Sequence, residues 1–575
     1  MFERKIKKVI MRWEAILEPE QNYVQQLQKE LGVSSTIAAL LVQRGIHTFE
    51  TAKAFFRPQW RDLHSPFLMR DMDKAVARIH AALEEDQSIM VYGDYDVDGT
   101  TSVALMSSFL AEKTQKVTSY IPDRYTEGYG ISYKGIDVAA QKGIHLIIAL
   151  DCGIKAVDKV AYAKEKGIDF IICDHHLPGE ELPQAIAILD PKRSDCDYPF
   201  DELCGCGIGF KLIQALSESW SEPQEKLFPY LDLVVTAIAA DIVPMEGENR
   251  TLSFFGLEQL RQNPRPGIQN LLGTLKRPVN ITDLVFKVAP RINAAGRMDH
   301  ALVAVDLLTT KNHNEVKKIG EAIEQFNTER RATDERITQE ALDQIKQRKE
   351  EDLPATVVFA QDWHKGVVGI VASRLIENFY RPTVVLTQSG ENYVGSVRSV
   401  KGFNVYNALE ACKAHMLQFG GHKYAAGLTL KKAQLAAFKT AFEKQVEATI
   451  LPEQKTPVIS YDLALPIEEV SHKLYRIVAQ MAPFGPKNMR PVFCSTNCVD
   501  SGQSKVIGKD QSHLRLSVHT ANGPIVGIGF GMANHFEYIK SGAAFDLLYT
   551  LDENEWNGSI SLQLKLKAIR LKEPA

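Results

Sequence analysis

The chain has 575 residues, 45% of them hydrophobic and 24% charged, which is too long for one hydrophobic core, so about three or four domains are expected. A formal net charge of −4 excludes a protein that is basic throughout; any nucleic-acid partner would have to be met by Lys and Arg gathered locally. No uninterrupted apolar run approaches bilayer length, Met1–Leu17 lacks the apolar stretch of a secretory signal, and the eight cysteines form no paired CxxC elements, so a cytoplasmic protein with reduced thiols and no membrane partner is expected.

From the N-terminus, Val24, Leu27 and Leu31, then Ile37, Leu40 and Leu41, recur at helical spacing, so residues 1–85 are expected to be helical. From Ser88 the pattern changes. Ile89–Tyr92, Leu146–Leu150, Phe170–Cys173 and Ile186–Leu189 are continuously apolar, as buried parallel strands are, and helical stretches separate them. This predicts a βαβ domain over 86–312. Residues 313–352 are strongly charged, with Val316, Ile319, Ile323 and Phe326, then Ile337, Ala341 and Ile345, on one stripe. They predict a long connecting helix stopped at Leu353-Pro354. A second α/β domain is expected over 353–452. The alternating Arg515–Val518 and Ser559–Lys565 predict a small antiparallel barrel over 453–575. The fold class is therefore α/β, with a parallel-sheet domain joined by a long helix to a second α/β domain and a small β-barrel at the end.

The chemistry is concentrated where apolar segments stop. Ile89–Tyr92 runs into Gly93-Asp94-Tyr95-Asp96-Val97-Asp98-Gly99, Leu146–Leu150 into Asp151-Cys152-Gly153, Phe170–Cys173 into Asp174-His175-His176, and Leu233–Ala240 into Asp241. One such aspartate is commonly a turn or helix-cap residue. Four segments delivering acids or histidines to the carboxyl edge of one open parallel sheet make a cluster. Bare carboxylates at close range raise one another's pKa values, and divalent cations resolve the conflict. Oxygen donors with one or two imidazoles suit Mn²⁺ or Mg²⁺, and a bridging carboxylate would hold two ions roughly 3.5–4 Å apart, as phosphoryl chemistry uses them. Asp94–Gly99 also resembles the start of an EF-hand loop, but a strand precedes it and the twelfth position is Leu105 rather than a bidentate Glu.

Gly93–Gly99, Asp151-Cys152-Gly153 and Asp174-His175-His176, in this order, resemble the motifs of the DHH phosphoesterase superfamily. Pro290–Arg297 and Gly420-Gly421-His422 narrow the resemblance to its RecJ family. The resemblance implies a single-stranded-DNA-specific 5′-to-3′ exonuclease that releases 5′-mononucleotides by two-metal hydrolysis, in recombination and repair. It implies Asp96, Asp98, Asp151, His175 and Asp241 as ligands of two Mn²⁺ or Mg²⁺ ions, with Asp151 bridging and Asp94 as ligand or support. It also implies His176 at the scissile phosphate or leaving group, with Asp174 orienting its neighbours. Arg124, Ser396, Arg398, Ser399, Gly421 and His422 would hold the terminal phosphate and the strand. Arg291, Asn293 and Arg297, read as a glycine-containing turn, would touch the DNA backbone or brace the active site. Tyr125, Tyr129 and Trp363 are candidates for stacking on bases. The C-terminal barrel would be of the oligonucleotide-binding type, with Lys505, Lys509, His513 and Arg515 on its track. The expected partners are single-stranded DNA, a helicase and a single-strand-binding protein, and the chain is expected to be a monomer. A pyrophosphatase or a cyclic-dinucleotide phosphodiesterase would use the same centre, but the extra N-terminal helices and strand-rich C-terminal region favour a polymeric substrate.

Overall fold

The structure, a computed structural model, describes residues 11–556 and 559–572; residues 1–10 of the expected helical region lie outside it. The described residues divide into two compact units: 13–289 with 308–313 and 460–572, and 11–12 with 290–307 and 314–459. Among the described residues no helix is long and apolar enough to cross a membrane.

The first described element is a short strand, Arg12–Ala15, which the helical expectation did not contain. Three helices follow in the first unit: α1 (Gln21–Leu31), α2 (Ser35–Val42) and α3 (Phe49–Phe56). Ser34 and Thr48 cap α2 and α3, each oxygen accepting a backbone N–H three residues on. Ile37–Val42 are all buried, so α2 is apolar around its whole circumference and must be enclosed. Its enclosure comes from far along the chain. Leu27, Ile37, Leu40 and Leu41 share one core with Val478, Phe493, Leu514, Phe545 and Leu564. Arg44 ties the same regions together, donating to Asn488 Oδ1 at 2.9 Å and Asp462 Oδ1 at 3.3 Å. The N-terminal helices are thus a layer of the C-terminal domain.

The central sheet of this unit holds β1 (Ile89–Tyr92), β2 (Val117–Tyr120), β3 (Leu146–Leu150), β4 (Asp169–Cys173) and β5 (Ala187–Leu189), all parallel, in the order β2-β1-β3-β4-β5. β1, β3 and β5 are buried at every position, which is why they read as unbroken apolar runs. The order reverses direction between β1 and β3, which places a crevice outside their carboxyl ends. Around the sheet lie α4 (Val97–Leu110), α5 (Gly205–Ser219), α6 (Leu231–Asp241) and α7 (Gly247–Gln262). Leu233–Ala240 is therefore helical, and Asp241 reaches the crevice from a helix C-terminus instead of a strand end.

A buried ion pair joins α5 to α7. Lys211 Nζ donates to Glu248 Oε1 at 3.1 Å and to the His64 carbonyl at 2.6 Å, while Tyr198 Oη donates to Glu248 Oε2 at 2.6 Å. Truncating one partner of such a pair strands the other charge. Glu248→Ala is expected to destabilise the protein by about 3–5 kcal/mol in chemical denaturation, and a loss under about 1 kcal/mol would refute that role.

In the second unit the residues expected to form a turn, Arg291–Arg297, lie within a helix, α8 (Ala289–Met298); the alanines favour it and Gly296 is tolerated inside it. The long helix α9 (His313–Gln347) buries Val316, Ile323, Ile337, Ala341 and Ile345 on one stripe, close to the expected bounds. The sheet β6 (Thr356–Ala360), β7 (Thr383–Ser389), β8 (Asn392–Arg398), β9 (Gln418–Gly421) and β10 (Ala425–Lys431) is ordered β9-β10-β8-β7-β6. Only β6 and β7 are parallel. Helix α10 (Val368–Phe379) packs on it.

The C-terminal sheet of the first unit has seven strands: β11 (Leu463–Ala464), β12 (Phe493–Cys498), β13 (Lys505–Ile507), β14 (His513–Val518), β15 (Ile525–Gly529), β16 (Phe545–Trp556) and β17 (Ser559–Leu571). It is mostly antiparallel, but β11–β12 and β15–β17 are parallel, which the antiparallel expectation did not include.

Candidate metal centre

The crevice outside β1 and β3 collects the acidic residues. Asp96 caps α4, its Oδ1 accepting the Gly99 N–H at 3.0 Å, so the ordinary helix-cap reading of this aspartate also holds. Asp98, in the first turn of the same helix, is held by the start of another: the N–H groups of Gly205 and Cys206 donate to its two oxygens at 2.6 and 2.8 Å. Asp151 follows β3 with φ 60°, in the left-handed region, and its N–H is fixed to the Cys173 carbonyl at 2.8 Å. That conformation turns the carboxylate back towards the neighbouring strand end. There His175 Nε2 lies 3.2 Å from Asp151 Oδ1, 3.8 Å from Asp241 Oδ2 and 3.9 Å from Asp98 Oδ2. Two sets of ligand atoms, from Asp151, His175 and His176 and from Asp98, His175 and Asp241, each lie within 4.8 Å of one another.

Electrostatics shows what this cluster is suited to hold. Burial, then the charge of Asp96, pushes Asp94 up to about 8 and Asp98 up to about 7. Burial, then Asp98, pushes Asp241 up to about 8, and Asp151 is raised well above the carboxylate range by burial and then by Asp98, Asp96 and Asp241. Burial, then His176, holds His175 down to about 4. At neutral pH His175 is therefore a neutral imidazole and its short contacts are not ion pairs. One oxygen of Asp151 and one of Asp94 are buried without any hydrogen-bond partner. Unpartnered buried oxygens, several carboxylates and a neutral imidazole are the donor set of a divalent cation site and are costly without one.

Beside this set, Asp174 organises the histidine turn. Its Oδ1 accepts from the N–H groups of His175 (2.8 Å) and His176 (3.2 Å) and lies 2.7 Å from His176 Nδ1; its Oδ2 accepts from Ile154 N–H at 2.9 Å. Burial opposes both charges, yet the mutual hydrogen bond prevails, lowering Asp174 and raising His176. Asp174→Asn removes the charge that holds the His176 proton, so the His176 pKa is expected to drop below the ordinary imidazole value. An NMR titration of His176 checks this, and an unchanged midpoint would rule it out. Arg124 lies at the same edge, its guanidinium 3.9 Å above the Tyr95 ring and its buried Nε unpartnered. Tyr129 Oη is 3.4 Å from His176 Nε2.

Tyr125 belongs to the first unit, as do Lys505, His513 and Arg515 on its C-terminal sheet and Lys509 between two strands of that sheet; the other sequence-derived site residues belong to the second unit. Ser396 and Arg398 lie on β8, an interior strand between β7 and β10 and not an exposed edge. Arg398 Nη1 donates to Ser396 Oγ at 2.8 Å, burial depresses the arginine's pKa, and among the described residues no carboxylate pairs with it. Ser399 Oγ donates to the Phe403 carbonyl, and Gly421 and His422 close the β9–β10 hairpin, where His422 N–H donates to the Ala425 carbonyl at 2.8 Å. Arg291 pairs with Glu324 at 2.5 Å and Arg297 Nη1 donates to the Gly366 carbonyl at 2.7 Å, while Asn293 shares their helix. Trp363 is 3% exposed, with Nε1 donating to Glu340 at 2.8 Å; it is core and cannot stack on a base.

Some features escaped the sequence reading. Asp190 ends β5 as Asp174 ends β4; it is buried with an unpartnered oxygen, and burial pushes it up to about 7. The rule used for the other strands would have found it. The backbone donors of Gly205 and Cys206 carry no side-chain signal. Gly369 is needed for close approach: a Cβ there would lie 2.9 Å from Arg398 Nη2 and 3.0 Å from Ser396 Oγ.

Three family models match the chain: the DHH family N-terminal domain over 88–238, the DHHA1 domain over 352–448 and the RecJ OB domain over 461–568. The single-stranded-DNA-specific exonuclease RecJ of Bacillus subtilis (strain 168) is 37% identical over 568 residues, which is 98% of this chain and 71% of that protein. The chain belongs to the RecJ family. The RecJ of Escherichia coli (strain K12) is 33% identical over 86% of this chain and 89% of its own length. A crystal structure of RecJ from Thermus thermophilus in complex with Mn²⁺ superposes with a TM-score of 0.83 at 25% identity, covering 98% of this chain and 80% of that one. An exonuclease RecJ bound to manganese matches with a TM-score of 0.59 at 30% identity over 68% of this chain and 97% of its own.

Proposed function

We propose that this RecJ-family chain is a hydrolase that degrades single-stranded DNA from the 5′ end, releasing 5′-mononucleotides, in recombination and repair. The observation that carries the reading is the convergence of Asp98, Asp151 and Asp241 on His175 Nε2, with carboxylates that need cations to ionise at neutral pH. Asp96, Asp98, Asp151, His175 and Asp241 would hold two Mn²⁺ or Mg²⁺ ions, with Asp151 between them and Asp94 or Asp190 in support. When bound, the ions supply a water acidified towards neutrality and neutralise charge on the phosphate. The chain's own groups do the rest. His176, kept protonated by Asp174, delivers a proton to the departing 3′-oxygen as the P–O3′ bond breaks, and Asp174 then holds the neutral ring for reprotonation. Arg124, anchored over Tyr95, offers its free Nε to a phosphate oxygen.

Ser396, Arg398, Ser399, Gly421 and His422 would grip the terminal phosphate, with Arg291, Asn293 and Arg297 bracing or contacting the strand. A buried guanidinium such as that of Arg398, with no carboxylate partner among the described residues, is suited to a phosphate monoester. We divide the chain into a helical region (1–85), metal domain (86–312), connecting helix (313–352), substrate-binding domain (353–452) and oligonucleotide-binding domain (453–575). We further place it in the cytoplasm as a monomer working with a helicase and a single-strand-binding protein, in keeping with its eight free cysteines.

The test uses 5′- and 3′-labelled single-stranded DNA with Mn²⁺, alongside duplex DNA and pyrophosphate. Mononucleotides from the 5′ end of the single strand alone are expected. Pyrophosphate hydrolysis without DNA cleavage would keep the centre and sink the exonuclease.

A further inference from the structure

Ile242 follows Asp241 at the end of α6 with φ 62°, in the left-handed region. A β-branched side chain is strained there, where helices ordinarily end on glycine or asparagine. The same side chain is 68% exposed, so its strain is not offset by burial. Leu177, which follows His176, is 67% exposed, and Tyr129, at the edge of His176, is 51% exposed. His175 Nε2 and Asp241 Oδ2 lie 3.8 Å apart, so the histidine turn that leads into Leu177 and the helix end that leads into Ile242 meet at the metal centre. A single exposed apolar side chain is ordinary, but one held exposed by a strained backbone beside a reacting centre points to function. The metal cluster answers only the phosphate of a nucleotide; its sugar and base present apolar faces that charged ligands cannot seat.

We propose that Ile242, with Leu177, forms an apolar rim that packs against the sugar and base of the nucleotide at the scissile phosphate. The rim orients the phosphate over the metal centre. Apolar packing reads no hydrogen-bond pattern, so the rim accepts all four bases. This rests on the exonuclease reading above.

The test uses the full chain with Mn²⁺ and compares a single-stranded oligonucleotide with methyl p-nitrophenyl phosphate, an ester lacking both sugar and base. Ile242→Asn and Ile242→Gly, which suit the left-handed conformation, are expected to raise the thermal midpoint by about a degree or more, because strain is relieved. They should bind Mn²⁺ with wild-type affinity yet lose about tenfold more kcat/KM on the oligonucleotide than on the small ester. Ile242→Val, which keeps the branched side chain, should retain the wild-type ratio, and Leu177→Ser should repeat the selective loss. Equal losses on both substrates, weakened Mn²⁺ binding in Ile242→Asn, or no loss on DNA would each overturn the rim. A wild-type protein that hydrolyses the ester but no DNA would instead overturn the exonuclease reading, and the rim with it.

Discussion

Replacing Asp151 by asparagine is expected to cost about 10³-fold or more in DNA hydrolysis while raising the thermal midpoint of the metal-free protein. The two effects share one origin. Asp151 is buried among Asp98, Asp96 and Asp241, so the metal-free fold must keep it protonated or bear the repulsion. Asparagine tolerates φ 60° and supplies an amide donor to the neutral His175 Nε2 that Asp151 Oδ1 now faces at 3.2 Å. The charge is removed, the shape is kept, and the site can no longer hold two cations. The wild type should show the linked pH dependence. Asp98, Asp94 and Asp241 have folded pKa values of about 7 to 8, raised from the ordinary carboxylate value, so between about pH 4 and 8 the folded protein binds more protons than the unfolded chain. Stability conferred by these groups is complete below the unfolded value and is lost as pH rises through 7 to 8. Asp174, depressed when folded, works in the opposite sense only at acid pH. Thermal melts in chelator from pH 6 to 8.5 should fall for the wild type, fall less for Asp151→Asn, and recover with Mn²⁺ only in the wild type. A wild-type midpoint that climbs over this range would contradict the protonation states assigned to the site.

Gly205→Ala is expected to be nearly as damaging without touching a ligand. A Cβ on Gly205 would lie 2.6 Å from Asp151 Cβ and 2.8 Å from its Cα, where real side chains are not found. The start of α5 would have to retreat from β3, carrying away the two N–H groups that hold Asp98 and shifting Asp151 with them. Displacements of about 1 Å at such a site cost about 10²-fold in rate, and the overpacking costs about 1–3 kcal/mol in stability. Mn²⁺ affinity should fall with the activity. Gly207→Ala is the control, because its Cβ would meet only Leu203 and Cys204 side chains at 3.4 Å and beyond. Equal activity in the two variants would refute this account of Gly205.

The strands of the central sheet were legible because burial on both faces removes the alternation that blurs most strands, and four of the five were placed within a residue of their ends. The acids at those ends were legible for the same reason. Asp241 was legible as a residue but not as a position, since an apolar run of eight reads alike as strand or buried helix until its packing is known. Arg291–Arg297 read as a turn because glycine was weighed above three flanking helix formers. Trp363 shows the ambiguity of an aromatic, whose indole N–H is satisfied by Glu340 inside the core. Least legible was the backbone: the amides that hold Asp98, and the left-handed turns at Asp151 and Ile242, leave no mark in composition.

The core that Leu27, Ile37 and Leu40 share with Phe493, Leu514 and Phe545 also sets an order of events during synthesis. The ribosome releases α2 more than four hundred residues before the strands that enclose it, an interval of about 20–90 s at about 5–20 residues per second. Throughout that time a helix apolar on every side is in water with its partner unmade. The growing chain is therefore most exposed to aggregation at its oldest end, and this is where a holding chaperone would be found on stalled nascent chains.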